Sequence, residues 1–131
     1  MIIVDSTVWI DYIGGRETPH AAWLDAAIPV RRLGLTDLIL CEILQGVRGE
    51  AQARRLAREM ARFEIFATGG TELAVAAAAN YRALRSRGVT VRKTIDCLIA
   101  TFCILDGHFL LHGDRDYDPF EKLLGLQVVH P

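Results

Sequence analysis

Short apolar segments separated by helical ones run from one end of this chain to the other, and that alternation fixes the fold class. Ile2-Ile3-Val4, Arg32-Leu-Gly-Leu35, Phe63-Glu-Ile-Phe66, Phe109-Leu-Leu-His112 and Leu126-Gln-Val-Val129 read as strands. Between them lie helical patterns. Ser6 or Thr7 can cap a helix through Trp9, Ile10 and Ile13 that stops at Gly14-Gly15. Pro19 to Ala27 carries proline in its first turn. Thr36, followed by Asp37, can cap a helix bearing Leu38, Ile39, Ile43 and Leu44. Glu50 to Arg62 has an apolar stripe of Ala53, Leu56, Ala57 and Met60. Glu72 to Arg87 is alanine-rich and closed by Gly88, and Thr94 to Leu105 is a further helix. Strands separated by helices pair in parallel through right-handed crossovers. The expected fold is a three-layer α/β/α sandwich with a mostly parallel, five-stranded sheet, one domain over residues 1–131.

The acids are placed unusually against this framework. Asp5 and Asp114 each follow a strand, at the edge where parallel sheets hold ligands. Glu42 interrupts Leu-Ile-Leu-Cys-Glu-Ile-Leu, and Asp96 lies in the first turn of an apolar helix. Each has an ordinary explanation: a turn for Asp5, a salt bridge for Glu42, the helix dipole for Asp96, a solvated turn for Gly113 to Asp118. Glu42 resists most, because a carboxylate among apolar neighbours is costly without a partner. Carboxylates that converge repel one another, and a hard divalent ion is the natural compensation.

Other chemistries lack their motifs. Gly113 to Asp118 opens like a calcium loop, but Pro119 and Gly125 stand where that loop needs glycine and a bidentate glutamate. His108 and His112 have no glutamate between them and lie on a strand. No nucleophile elbow or phosphate-cradling glycine loop is present. Cys41, Cys97 and Cys103 are odd in number and sit in apolar helical patterns, so buried free thiols are expected. The apolar runs are too short to span a bilayer, and the start does not resemble a signal peptide, so a cytoplasmic location is expected. Net charge is −1, yet fifteen basic residues against the eleven acids left after setting aside Asp5, Glu42, Asp96, Asp114 and Asp116 give +4. The remaining surface is mildly basic, which permits a nucleic-acid partner.

Four motifs in order carry a family resemblance. They are Ile-Ile-Val-Asp5-Ser-Thr7-Val-Trp-Ile, Glu42-Ile-Leu-Gln-Gly46, Thr94-x-Asp96-x-x-Ile-Ala100 and Leu-Leu-His-Gly-Asp114-Arg-Asp116-Tyr. Together they resemble a PIN domain, most closely the VapC toxins of bacterial toxin–antitoxin modules, over essentially the whole chain. The resemblance implies an endoribonuclease dependent on Mg²⁺ or Mn²⁺ that leaves a 5′-phosphate and a 3′-hydroxyl. It implies metal-binding acids at Asp5, Glu42, Asp96 and Asp114, with Asp116 as an outer member. It implies a supporting hydroxyl at Ser6 or Thr7. Tyr117 stands where the family usually has phenylalanine. It further implies a VapB-type antitoxin lying over the site, and a homodimer.

Arg92, Lys93 and Arg115 lie next to the acids in sequence and are the expected contacts to RNA phosphate. Arg54, Arg58 and Arg62 form a helical stripe that reads as a solvated face. Two rival readings remain at this level. One is a PIN-type nuclease for RNA maturation or structured DNA. The other is a Mg²⁺-binding signalling receiver, against which stands the lack of an acid after the third strand.

Overall fold

The computed structural model describes residues 1–131. Its sheet has β1 (Ile2–Val4) at the centre, β2 (Leu33–Thr36) and β3 (Glu64–Phe66) on one side, and β4 (Phe109–Leu111) and β5 (Gln127–Val128) on the other. Every pair is parallel, with Ile3 opposite Gly34 on β2 and Leu110 on β4. The receiver reading fails here, because receivers order their strands 2-1-3-4-5 and this sheet runs β3-β2-β1-β4-β5.

Handedness then sorts the helices into layers. The chain steps outward from β1 to β3 through α1 (Ser6–Ile13), α2 (Pro19–Ala27), α3 (Asp37–Gln45) and α4 (Glu50–Met60). It returns across the sheet to β4 through α5 (Thr71–Ser86) and α6 (Thr94–Asp106), and reaches β5 through α7 (Asp118–Leu124). Right-handed crossovers in opposite directions put the two groups on opposite faces. Packing agrees: α1 touches α2 and α3, and α3 touches α4, whereas α5 touches α6 and α7. Covered on both faces, the strands bury Ile3, Val4, Leu35, Leu110 and Leu111 completely. Cutting any one of these leucines to alanine is expected to cost about 2–5 kcal/mol.

Most elements fall within a residue or two of their predicted bounds. Several expectations are corrected. Ser6 and Thr7 do not cap α1; Asp5 does, with extended backbone (φ −71°, ψ 157°) and its carboxylate accepting the Thr7 N–H. Thr36 caps α3 as expected, accepting from Ile39 N–H. The α3 helix is less buried than its composition implies: only Ile39 and Ile43 are fully covered. Cys41 is exposed, unlike Cys97 and Cys103, because it lies on the face of α3 turned away from the core. Gly113 to Asp118 is not a loose turn. Arg115–Tyr117 forms a 3₁₀ turn that runs into α7, with Pro119 in the first turn and Gly125 closing the end at φ 78°. The acids in that run masked ordinary helix-start and helix-stop residues. No helix is long and apolar enough to cross a membrane.

Candidate active site

The strand order reverses between β1 and β4, and at such a switch point a crevice opens beyond the carboxyl ends. Asp5 ends β1 and Asp114 follows β4, so both acids sit at this crevice. The two strand ends are tied together there. Asp5 N–H donates to Leu111 O at 2.9 Å, and Gly113 N–H donates to Thr7 Oγ1 at 3.1 Å. Thr7 Oγ1 donates in turn to Asp5 Oδ2 at 2.7 Å. The two hydroxyls left unresolved by the sequence thus have separate partners. Thr7 holds Asp5, while Ser6 Oγ donates to Glu42 Oε1 at 3.1 Å and brings the α3 acid to the α1 N-terminus.

Asp96 arrives from the first turn of α6. Only 5% exposed, it keeps Oδ2 buried with no hydrogen-bond partner. Burial, reinforced by Asp5, Asp114 and Glu42 and only partly offset by Lys93, pushes its carboxyl up to about 6. Glu42 is also raised, first by desolvation and then by Asp5, although Ser6 and Lys93 oppose this. Asp114 accepts Asp116 N–H through Oδ1 at 2.9 Å, and its Oδ2 lies 3.8 Å from Lys93 Nζ. Asp96, Asp114 and Asp116 each place one carboxylate oxygen within 4.8 Å of the others. The outermost acid of the sequence reading is therefore geometrically close to two of the inner four. Arg92 and Arg115 line a cavity of about 150 Å³ together with Asp116, beside these acids.

Two further residues, noted in the sequence but given no place in the site there, belong to it. Tyr117, fully buried, donates its hydroxyl to Asp5 Oδ1 at 2.9 Å and lies 3.4 Å from Asp96 Oδ1. Its phenol is raised well above the ordinary value, chiefly by burial and then by Asp5 and Asp96, so it stays a neutral donor. His112 accepts Asp114 N–H through Nδ1 at 3.1 Å and packs on the Tyr117 ring at 4.8 Å between centroids. Desolvation lowers His112, which keeps that nitrogen free to accept. The available signal was the single oxygen by which Tyr117 departs from phenylalanine.

Buried carboxylates with one nearby lysine and an unsatisfied oxygen form a site of hard oxygen donors, suited to a divalent cation and unsuited to a soft one. Residues 2–123 match the PIN domain model. The chain is 32% identical to VapC ribonuclease Mb1587 of Mycobacterium bovis and to ribonuclease VapC11 of Mycobacterium tuberculosis, over 98% of each chain. Its fold is similar to that of VapBC2 from Rickettsia felis, with a TM-score of 0.77 and 16% identity over 98% of both chains. VapBC-5 of Mycobacterium tuberculosis also shares it, with a TM-score of 0.69 and 18% identity over 98% of this chain and 97% of that one. A full-length match in sequence, and the same fold with acids at its switch point, lead to one conclusion: the chain belongs to the PIN-domain family, among the VapC ribonucleases.

Proposed function

We propose that this chain is a Mg²⁺- or Mn²⁺-dependent endoribonuclease, the toxin of a type II toxin–antitoxin pair, and that Asp5, Glu42, Asp96 and Asp114 hold the cation. The observation that carries this is the buried, unpartnered Oδ2 of Asp96 among three other acids. A buried anionic oxygen with no donor is stable only if something positive completes it. When bound, the metal would activate water for attack on a phosphodiester and offset charge on the phosphate.

The chain's own residues prepare that site. Thr7 fixes the Asp5 carboxylate, Ser6 turns Glu42 inward, and the Asp116 N–H orients Asp114. Asp116 serves as an outer acid of the same cluster. Lys93 lowers the repulsion among the acids, and its position beside Asp114 also lets it meet an incoming phosphate. Arg92 and Arg115 flank the adjoining cavity, where the RNA backbone would run. The mycobacterial relatives are ribonucleases, and the two fold neighbours are VapBC toxin–antitoxin proteins. By analogy, a VapB-type antitoxin would cover this edge, and a second copy of the chain would complete a homodimer.

The test is cleavage of RNA by the purified chain with Mg²⁺ or Mn²⁺, in EDTA, and with Asp5→Asn or Asp96→Asn. Cleavage should require metal and both aspartates; full activity in EDTA or in both variants would sink the assignment. Sequencing the 5′ ends of RNAs cut during induction identifies the substrate and the cut site together.

A further inference from the structure

We propose that Tyr117 is a positioning residue that sets the metal affinity of this site, by fixing Asp5 and standing against Oδ1 of Asp96, so that Oδ2 of Asp96 is left free for a cation. The inference rests on the metal-site reading above and adds a residue to it.

The geometry has three parts. The Tyr117 hydroxyl donates its one proton to Asp5 Oδ1 at 2.9 Å and lies 3.4 Å from Oδ1 of Asp96, and so spans acids brought from β1 and from α6. On Asp96 this leaves Oδ2 as the unpartnered oxygen. The ring cannot swing away. It is fully buried, the 3₁₀ turn fixes its backbone through Tyr117 N–H to Asp114 O at 3.2 Å, and His112 packs on its face. His112 simultaneously accepts the Asp114 N–H. The Asp114 turn and the phenol are thereby set against one another, and three acids from three elements take their orientation from one corner.

Physically, two anions facing each other would rotate apart without a cation. A neutral hydroxyl between them supplies a donor where a charged one would compete with metal. Partners of this kind commonly contribute about 10- to 100-fold in metal affinity. Phenylalanine at this position would keep the packing and lose that contribution.

The experiment is Mn²⁺ titration of the intact chain and of Tyr117→Phe by calorimetry, with RNA cleavage followed as a function of Mn²⁺. The variant is expected to bind Mn²⁺ about tenfold more weakly, with its cleavage midpoint shifted likewise and most of kcat regained at saturating metal. Introducing 4-aminophenylalanine at 117, which restores an N–H donor, should recover much of the affinity. Unchanged or tighter binding by Tyr117→Phe overturns the proposal, as does a loss of kcat that saturating metal does not restore. A wild-type chain that binds no Mn²⁺ overturns the metal-site reading itself, so the two failures are distinguishable. One measurement needs no variant. Of the three tyrosines, only Tyr117 is fully buried, so its hydroxyl proton should be protected from exchange by NMR in both EDTA and Mg²⁺. Loss of that protection on adding Mg²⁺ would show that the bond is absent from the loaded site and refute the idea.

Discussion

The two ends of the sheet handle charge in opposite ways. At the amino end, Arg31, Arg32, Arg62 and Glu64 surround a shallow cavity, and Arg32 pairs with Glu64 at 3.2 Å while 82% exposed. Water screens each of these charges, so the pairing costs and gains little. At the carboxyl end, Asp5 and Asp96 are buried, Glu42 is half-buried, and one lysine lies within ion-pair distance of Asp114. The same fold thus bears solvated charge at one edge and only partly relieved charge at the other, where Oδ2 of Asp96 has no partner. Such charge lowers the stability of the empty fold, and an added cation would recover it. The difference teaches that a functional edge is recognised by what its charges lack rather than by their number.

The sharpest way to break this comparison is to neutralise the crowded edge. Asp96→Asn should reduce RNA cleavage by about a hundredfold or more, beyond the loss typical of residues that only support a ligand, while circular dichroism shows the fold retained. Residual activity near wild type would mean the crowding has no catalytic purpose. Ser6→Ala releases Glu42 and should lower cleavage by about tenfold at limiting metal, read from initial rates against Mn²⁺.

A third prediction concerns pH. In the fold, Asp96 titrates near 6, above its unfolded value of 3.8, so the native state holds the extra proton between those pH values. Without metal, the stability associated with Asp96 should therefore be greatest below about pH 4, decline as pH rises to about 6, and stay low above it. After allowance for solvent screening the change is on the order of 1 kcal/mol, visible as the difference in urea midpoint between wild type and Asp96→Asn in EDTA. A wild-type curve that rises relative to the variant across this window would contradict the site's electrostatics. The smallest effect belongs to the other edge. Arg32→Ala should change stability by less than about 0.5 kcal/mol and leave cleavage unaltered.

Much of this was legible beforehand. Asp5, Asp96 and Asp114 announced themselves because each is a polar residue at a fixed distance from an apolar strand or helix start. Glu42 did so because its neighbours are apolar, although α3 leaves it only half covered. The α7 helix was missed because its acids resemble a turn, and the exposure of Cys41 because a short apolar helix does not reveal which side meets the core.

The sequence by itself determined the alternation of strand and helix, and hence a parallel sheet with acids at one edge, because periodicity and handedness are local properties of an L-chain. Only the tertiary structure decided the partners. Thr7 went to Asp5 and Ser6 to Glu42, Lys93 came to Asp114, and the hydroxyl of Tyr117 was placed between Asp5 and Asp96 across 112 and 21 residues of chain. Such pairings depend on which strands become neighbours at the switch point, and no residue carries that information alone.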